Sequence, residues 1–348
     1  MKALLLSNYR QFEIADLPVP SAGPGEILLR VAACGICGSD VHGYDGASGR
    51  RIPPIVMGHE AAGTVAAIGL GVTKFAVGDR ITVDSTVSCG ECSYCLRGQI
   101  NLCDRRQVIG VSCGDYRRAG AFAEYIAVPE RIVYRMPGRL SFDEAAMLEA
   151  VAVAVHAVSL TPIEPDCSAL VVGAGMIGLL LLQVLRAEGC GRVIVADVDA
   201  SRLRLAQKLG ATETLLASAK ESFADEVARR SGGAGVDVAM EAVGRDETVN
   251  AAIQSVRRGG AVTLVGNIAP EINFPLQRVV TGQIRVQGSC ASSGEYPRAM
   301  DLVASGAVDV KSLISAVAPL AEGPAWFERL YAREANLLKV VLAPGAGS

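Results

Sequence analysis

From Ala169 to Leu185 the chain reads ALVVGAGMIGLLLLQVL. An apolar strand, a glycine turn and an apolar helix account for this stretch. Gly173, Gly175 and Gly178 stand at G-x-G-x-x-G spacing, a pattern that gains meaning from its place between a strand and a helix. Gly173 permits the tight turn, Gly175 lets a pyrophosphate approach the backbone, and Gly178 lets helix and strand pack closely. The free amides at the helix start then face the phosphate charge. Cys167–Leu185 has about the length a bilayer requires, but its glycines interrupt the run and no basic flank orients it. A buried strand–turn–helix explains it better.

A second strand, RVIVADVD, ends on Asp197, nineteen residues beyond Gly178. A carboxylate there accepts the ribose hydroxyls of the adenosine half and repels a 2′-phosphate, which selects NAD over NADP. Asp197 could instead cap the following helix, a task that Asp199 could do equally well. Arg202 is the complication, because an arginine nearby accommodates a 2′-phosphate. The candidate cofactor residues are thus Gly173, Gly175, Ile177, Gly178, Asp197 and Arg202, and the expected cofactor is NAD.

Strand and helix alternate through this region, with strands DVAMEAVG, AVTLVGN and IRVQGSC and helices SRLRLAQKLG and TVNAAIQSVRRGG. Such alternation implies a doubly wound parallel sheet covered on both faces. Up to about residue 140 the rhythm differs. Short apolar runs (EILLRVAAC, GTVAAIG, RITVDS, EYIAVPE) are separated by Gly and Pro, as in a β-barrel-like unit. After 290 a helical YPRAMDLVASG and a terminal LLKVVLAP are too few to fold alone and are expected to rejoin the first unit. Two domains result, 1–150 with 291–348, and 151–290, a division that suits 348 residues. The opening MKALLLSNYRQFEIADLPVP is too short in apolar residues for a signal peptide and reads as a strand, so a reducing cytoplasm is the expected compartment. A net charge of −3 argues against a surface built for nucleic acid or an anionic membrane.

In such a compartment cysteines are metal ligands or buried thiols. Residues 89–103, CGECSYCLRGQINLC, space Cys89, Cys92, Cys95 and Cys103 as C-x-x-C-x-x-C-x7-C. Four thiolates complete a tetrahedral zinc shell and leave no place for substrate, so this cluster is a structural staple; an iron–sulfur cluster is the rival reading. A catalytic zinc needs an open position. The candidates are Cys37 in ACGICGSDVHG and His59 with Glu60 in PIVMGHEAAG, and the chain holds only three histidines from which to choose.

CGICGSDVHG, GHEAAGTVAAIG, the four-cysteine lobe and VVGAGMIG occur in the order and spacing of the zinc-dependent medium-chain dehydrogenases. The resemblance spans essentially the whole chain, including AMDLVASGAVDVKSLI and LLKVVLAP, and is closest to the polyol branch of sorbitol and galactitol-phosphate dehydrogenases. It implies a GroES-like β-barrel catalytic domain beside a Rossmann domain, two zincs per chain, NAD, and a homodimer or homotetramer. Cys37 and His59 match catalytic zinc ligands, and Glu60 a glutamate that binds zinc or swaps in and out. Glu149 falls where alcohol dehydrogenases carry a third, cysteine ligand and the polyol branch a glutamate, although this chain reads Glu-Ala where polyol enzymes read Glu-Pro. Glu60 and Glu149 are thus alternative direct zinc ligands. Asp40 matches the carboxylate that orients the ligating histidine, and that role fixes the ring's tautomer and direction. Ser39 and His42 match a hydroxyl and an imidazole that pass the alcohol proton to solvent. Lys339 resembles a basic residue near the cofactor pyrophosphate, and Tyr44 an aromatic near the pocket. His156, in an apolar helical run, reads as core.

The expected reaction is oxidation of a secondary alcohol of a polyol, with or without a phosphate group, to a ketose. Zinc would polarise the alcohol, and the proton would leave through Glu149 or through Ser39 and His42. A phosphorylated substrate would need basic groups, for which Arg50, Arg51, Arg117 and Arg118 are candidates. The alternatives are an amino-alcohol or simple alcohol dehydrogenase and a non-catalytic relative that binds NAD or zinc.

Overall fold

The computed structural model describes residues 1–113, 116–217 and 223–345. The chain divides into two compact units. One comprises Met1–Glu149, Ala299–Ala304 and the stretch from Val310 onward; the other comprises Ala150–Arg298 and Ser305–Asp309.

In the first unit the strand Glu26–Gly35 is the hub of a seven-stranded sheet. Its sequence, EILLRVAACG, leaves only Arg30 exposed, as suits a strand with neighbours on both edges and packing on both faces. It pairs antiparallel with Tyr125–Pro129 at its start and with Glu60–Ile68 along its length. Arg80–Val83 and Val133–Arg135 extend the sheet beyond Glu60–Ile68. At its far end Cys34 and Gly35 pair with Leu342 and Val341 of the terminal strand Lys339–Ala343, beside which Ile314–Pro319 runs parallel. The hub strand Glu26–Gly35 and the terminal strand therefore belong to one sheet. Leu4, Leu6, Ile27, Leu29, Met57, Ile81, Phe122, Phe327 and Val340 fill its core, and their burial is the main force holding the unit together.

The register of this sheet assembles chemistry. Gly35 faces Glu60 across one strand pair and Val341 across another. Cys37, two residues past the hub strand, His59, just before its neighbour, and Lys339, at the start of the terminal strand, are thereby drawn to one end.

The second unit is a six-stranded, all-parallel sheet. Its spatial order is Glu213–Leu216, Arg192–Asp197, Ser168–Val172, Val236–Glu241, Val256–Leu264, Arg285–Gly288, the doubly wound order of dinucleotide-binding folds. The order reverses at Ser168–Val172, the strand that runs into the glycine turn. Leu170, Val172, Ile194, Val236, Ile253 and Val262 lie in its core. One expectation changes: TVNAAIQSVRRGG is not helical to its glycines. The helix Asp246–Ser255 stops and Val256 begins the next strand, because fully buried Val256 pairs with Val236 and pairing outweighs helical continuation. No helix among the described residues is long and apolar enough to cross a membrane.

Candidate active site and metal centres

The four-cysteine lobe folds as a tight knot. Cys92 precedes the short helix Ser93–Leu96, and Cys103 follows the turn Ile100–Leu102. The sulfurs of Cys89 and Cys95 stand 3.8 Å apart, and those of Cys92 and Cys95 3.5 Å. A tetrahedron of zinc–sulfur bonds of about 2.3 Å spaces its sulfurs by roughly 3.8 Å, so the four thiols fit zinc. Backbone amides aim at the sulfurs: Cys92 N at Cys89 Sγ (3.3 Å) and Cys89 N at Cys103 Sγ (3.3 Å). The amides of Glu91 and Cys92 pull the Cys89 thiol down to about 6, toward the thiolate that a metal requires.

The second cluster is mixed. Donor atoms of Cys37, His59 and Glu60 lie within 4.8 Å of one another. Cys37 caps the helix Gly38–Tyr44, and its amide donates to Asp40 Oδ2 (3.3 Å) in the first turn. The other oxygen, Asp40 Oδ1, lies 3.4 Å from His59 Nδ1. That is ion-pair range, although Nδ1 is not aligned for a hydrogen bond. With Nδ1 turned to Asp40, Nε2 is left for a metal. Burial works against charge on Asp40, but His59 and the Arg51 guanidinium overcome it and hold its carboxyl far below the usual range.

Glu60 is gripped from the far side. Lys339 Nζ donates to both its carboxylate oxygens (2.7 and 2.6 Å) and to Ile36 O (3.1 Å). Glu149 opens the helix Leu148–Ser159 and accepts from Ser85 Oγ (3.2 Å); it stands outside the 4.8 Å group. Burial pushes its carboxyl upward, and the charge of Glu60 adds to this. Ser39 and His42 are both exposed, three residues apart on Gly38–Tyr44, and Ser39 Oγ accepts from Arg51 Nη2 (3.3 Å).

Several expectations are revised. Tyr44 is not a pocket aromatic: it is buried, stacked 5.2 Å from Phe12, with its hydroxyl donating to Glu328 (2.6 Å). Arg51 is not available to a substrate phosphate, because it is buried and paired with Asp40 (2.8 Å). His156 is buried in the second unit, yet it is more than core packing: its Nδ1 meets Glu295 Oε1 at 2.7 Å. The Lys339–Glu60 contact spans 279 positions of sequence, so nothing local announces it.

In the second unit Gly173 adopts φ +98°, where a side chain is strained. A Cβ on Gly178 would lie 1.7 Å from Gly173 O, so turn and helix close only over glycine. Asp197 Oδ2 accepts from Ala174 N (2.6 Å) inside the turn, and Oδ1 from Asp199 N (2.8 Å). The cap of helix Ala200–Lys208 is Asp199, which accepts from Ser201 N and Arg202 N, and Arg202 Nε approaches it at 3.9 Å. Asp197 is thereby spared the capping role. Ile177 is partly buried in the first turn of Met176–Ala187. Sequence reasoning overlooked Glu241, fully buried at the end of Val236–Glu241, whose Oε1 accepts from Val243 N (2.9 Å) and Gly244 N (2.8 Å) and shapes the loop beside Gly173.

Family profiles match residues 23–138, as an alcohol dehydrogenase GroES-like domain, and 177–305, as a zinc-binding dehydrogenase. Sorbitol dehydrogenase of Bacillus subtilis (strain 168) is 35% identical over 348 residues, covering 99% of this chain and 97% of that one. The chain belongs to the zinc-dependent medium-chain dehydrogenases, in their polyol branch. A probable D-xylulose reductase A of Aspergillus clavatus is 36% identical to this dehydrogenase over 95% of its length and 93% of the relative's. The zinc-binding dehydrogenase of Sinorhizobium meliloti 1021, solved bound to NADP, matches it with TM-score 0.91 at 34% identity across 99% of each chain. This dehydrogenase is therefore a polyol oxidoreductase that joins a GroES-like unit to a Rossmann-like parallel sheet.

Proposed function

We propose that the dehydrogenase oxidises a secondary alcohol of an unphosphorylated polyol to a ketose with NAD, holding one zinc at Cys37, His59 and Glu60 and a second at Cys89, Cys92, Cys95 and Cys103. The observation that carries this reading is the mixed cluster. One thiol, one imidazole and one carboxylate converge within 4.8 Å, a donor set short of zinc's four and so open to a substrate oxygen. When bound there, zinc would supply a Lewis acid toward the alcohol, and NAD would supply the hydride acceptor.

The protein's own groups do the rest. Asp40 orients His59, and Lys339 holds Glu60 at the edge of the cluster. Glu149, with its carboxyl raised by burial, is suited to take and release the alcohol proton; Ser39 and His42, both exposed, form the outer route. The turn Gly173–Gly178 would cradle the pyrophosphate of NAD, while Lys339 Nζ is committed to Glu60 and Ile36 O. Asp197 at the strand end supports NAD over NADP, and Arg202 Nε lies 3.9 Å from Asp199. An unphosphorylated substrate is favoured because two of the four basic candidates are engaged, Arg51 by Asp40 and Arg118, 3.5 Å from Glu26, while Arg50 and Arg117 are exposed. Relatives named for polyols and their ketoses support the substrate class. A cytoplasmic homodimer or homotetramer completes the reading.

Zinc analysis combined with a coupled screen of polyols, polyol phosphates, threonine and short alcohols, each with NAD and NADP, tests this. Two zincs per chain and NADH formation on free polyols are expected. A single zinc, or turnover confined to threonine or simple alcohols, overturns it.

A further inference from the structure

We infer that Arg51 is a positioning residue for the catalytic metal ligands, acting on Cys37 and His59 through Asp40. The inference rests on the zinc reading of Cys37, His59 and Glu60 given above.

Arg51 is 3% exposed, a rare state for an arginine unless it is paired. Its Nε (3.2 Å) and Nη2 (2.8 Å) both donate to Asp40 Oδ1, and Nη2 also reaches Ser39 Oγ (3.3 Å). Oδ1 is the atom that faces His59 Nδ1, while Oδ2 of the same carboxylate accepts from Cys37 N. One carboxylate thus touches both ligands, and a forked guanidinium sets the angle at which it does so. Arginine suits this task because its planar donors fix an oxygen in direction as well as in charge.

The surroundings are built for the arginine. A Cβ on Gly43 would lie 2.3 Å from Arg51 Cγ and 3.0 Å from its Cβ, so the stem rests against the helix where only glycine leaves room. The backbone on either side is pinned: Ile52 N donates to Ser112 Oγ (2.7 Å) and Ser112 N to Arg50 O (3.1 Å). Without the guanidinium, Asp40 keeps its place in sequence but loses the anchor that holds Oδ1 on the imidazole. Partners behind a ligating histidine typically change metal affinity by about 10–100-fold when removed.

The two metal sites provide an internal control. Zinc release from the loaded enzyme to the chelator 4-(2-pyridylazo)resorcinol is followed for the wild type, Arg51→Met, Arg51→Lys and Gly43→Ala. The last variant keeps the charge but displaces the stem, and alanine itself favours a helix, so it carries the test if Arg51→Met does not fold. One zinc equivalent should leave Arg51→Met and Gly43→Ala about tenfold or more faster than the wild type, with Arg51→Lys between, and the other equivalent should leave at the wild-type rate. Unchanged release of both equivalents overturns the positioning role. Equal acceleration of both also overturns it, since that is loss of general stability. A wild type that holds zinc only at the four thiols sinks the catalytic-zinc reading itself, a result distinct from either.

Discussion

Lys339→Met tests a buried ion pair at the mixed cluster of the first unit. Lys339 and Glu60 are 2% and 1% exposed, and two short hydrogen bonds join them. At the surface such a pair would contribute about 0–1 kcal/mol. Here removal of the ammonium leaves a carboxylate buried without its partner, which costs about 3–5 kcal/mol. Burial alone would strip the proton from Lys339, yet the charge of Glu60 prevails and raises its affinity for the proton, the direction expected of a true buried pair. For a unit of this size about 2–4 °C of melting temperature is lost per kcal/mol, so a fall of roughly 6–20 °C is expected.

The single tryptophan, Trp326, lies in the first unit, so its fluorescence in urea reports that unit's unfolding. Lys339→Met should lose stability by the stated amount in zinc-free protein and by less in the loaded enzyme, where a cation beside Glu60 replaces part of the missing charge. Lys339→Met with Glu60→Gln should recover much of the loss, because the double variant no longer buries a lone charge. A loss below about 1 kcal/mol, or strictly additive effects, refutes the reasoning. A variant of unchanged stability but raised KM for NAD would instead make Lys339 a cofactor group and no structural partner of Glu60.

Three further outcomes follow from the site. Cys37→Ser should abolish turnover with little change in melting, whereas Cys92→Ser should lower melting and expose the lobe to protease; the reverse pattern would exchange the roles of the two clusters. Asp197→Ser should shift the NAD:NADP ratio of kcat/KM toward NADP by about tenfold or more, and an unmoved ratio would deny Asp197 the ribose. Asp237→Asn tests a charge in the second unit: despite burial, Ser168 and Arg257 hold the Asp237 carboxyl down to about 2, below the ordinary 3.8. A depressed carboxyl stabilises above its unfolded value and loses that contribution as pH falls. The variant should therefore melt below the wild type at neutral pH, with the gap closing from about 3.8 toward about 2; a gap independent of pH would refute it.

What was legible in the sequence was whatever one segment decides. Gly173 and Gly178 obey a local steric rule, and the positive φ of the one and the 1.7 Å approach of the other are consequences of the turn that the pattern already named. The four cysteines lie within fifteen residues, so their spacing alone makes a shell. Cys37 and His59 were visible as ligand types, but their meeting depends on Gly35 facing Glu60 across a strand pair, a register no local pattern displays. Arg51 and Lys339 were misjudged or half-seen for the same reason. A basic residue in a turn or at a strand start reads as surface by default, and only the tertiary structure shows that each is buried against a carboxylate beside the mixed cluster. Arg51 is paired with Asp40, which touches Cys37 and His59, and Lys339 is paired with Glu60, the cluster's one carboxylate, so each carboxylate meets a cation from outside the ligand set. Lys339 reaches Glu60 across 279 positions, and Arg51 reaches Asp40 across only 11 but by folding back into the core, so the ligands could be read from short motifs while the groups that hold them could not.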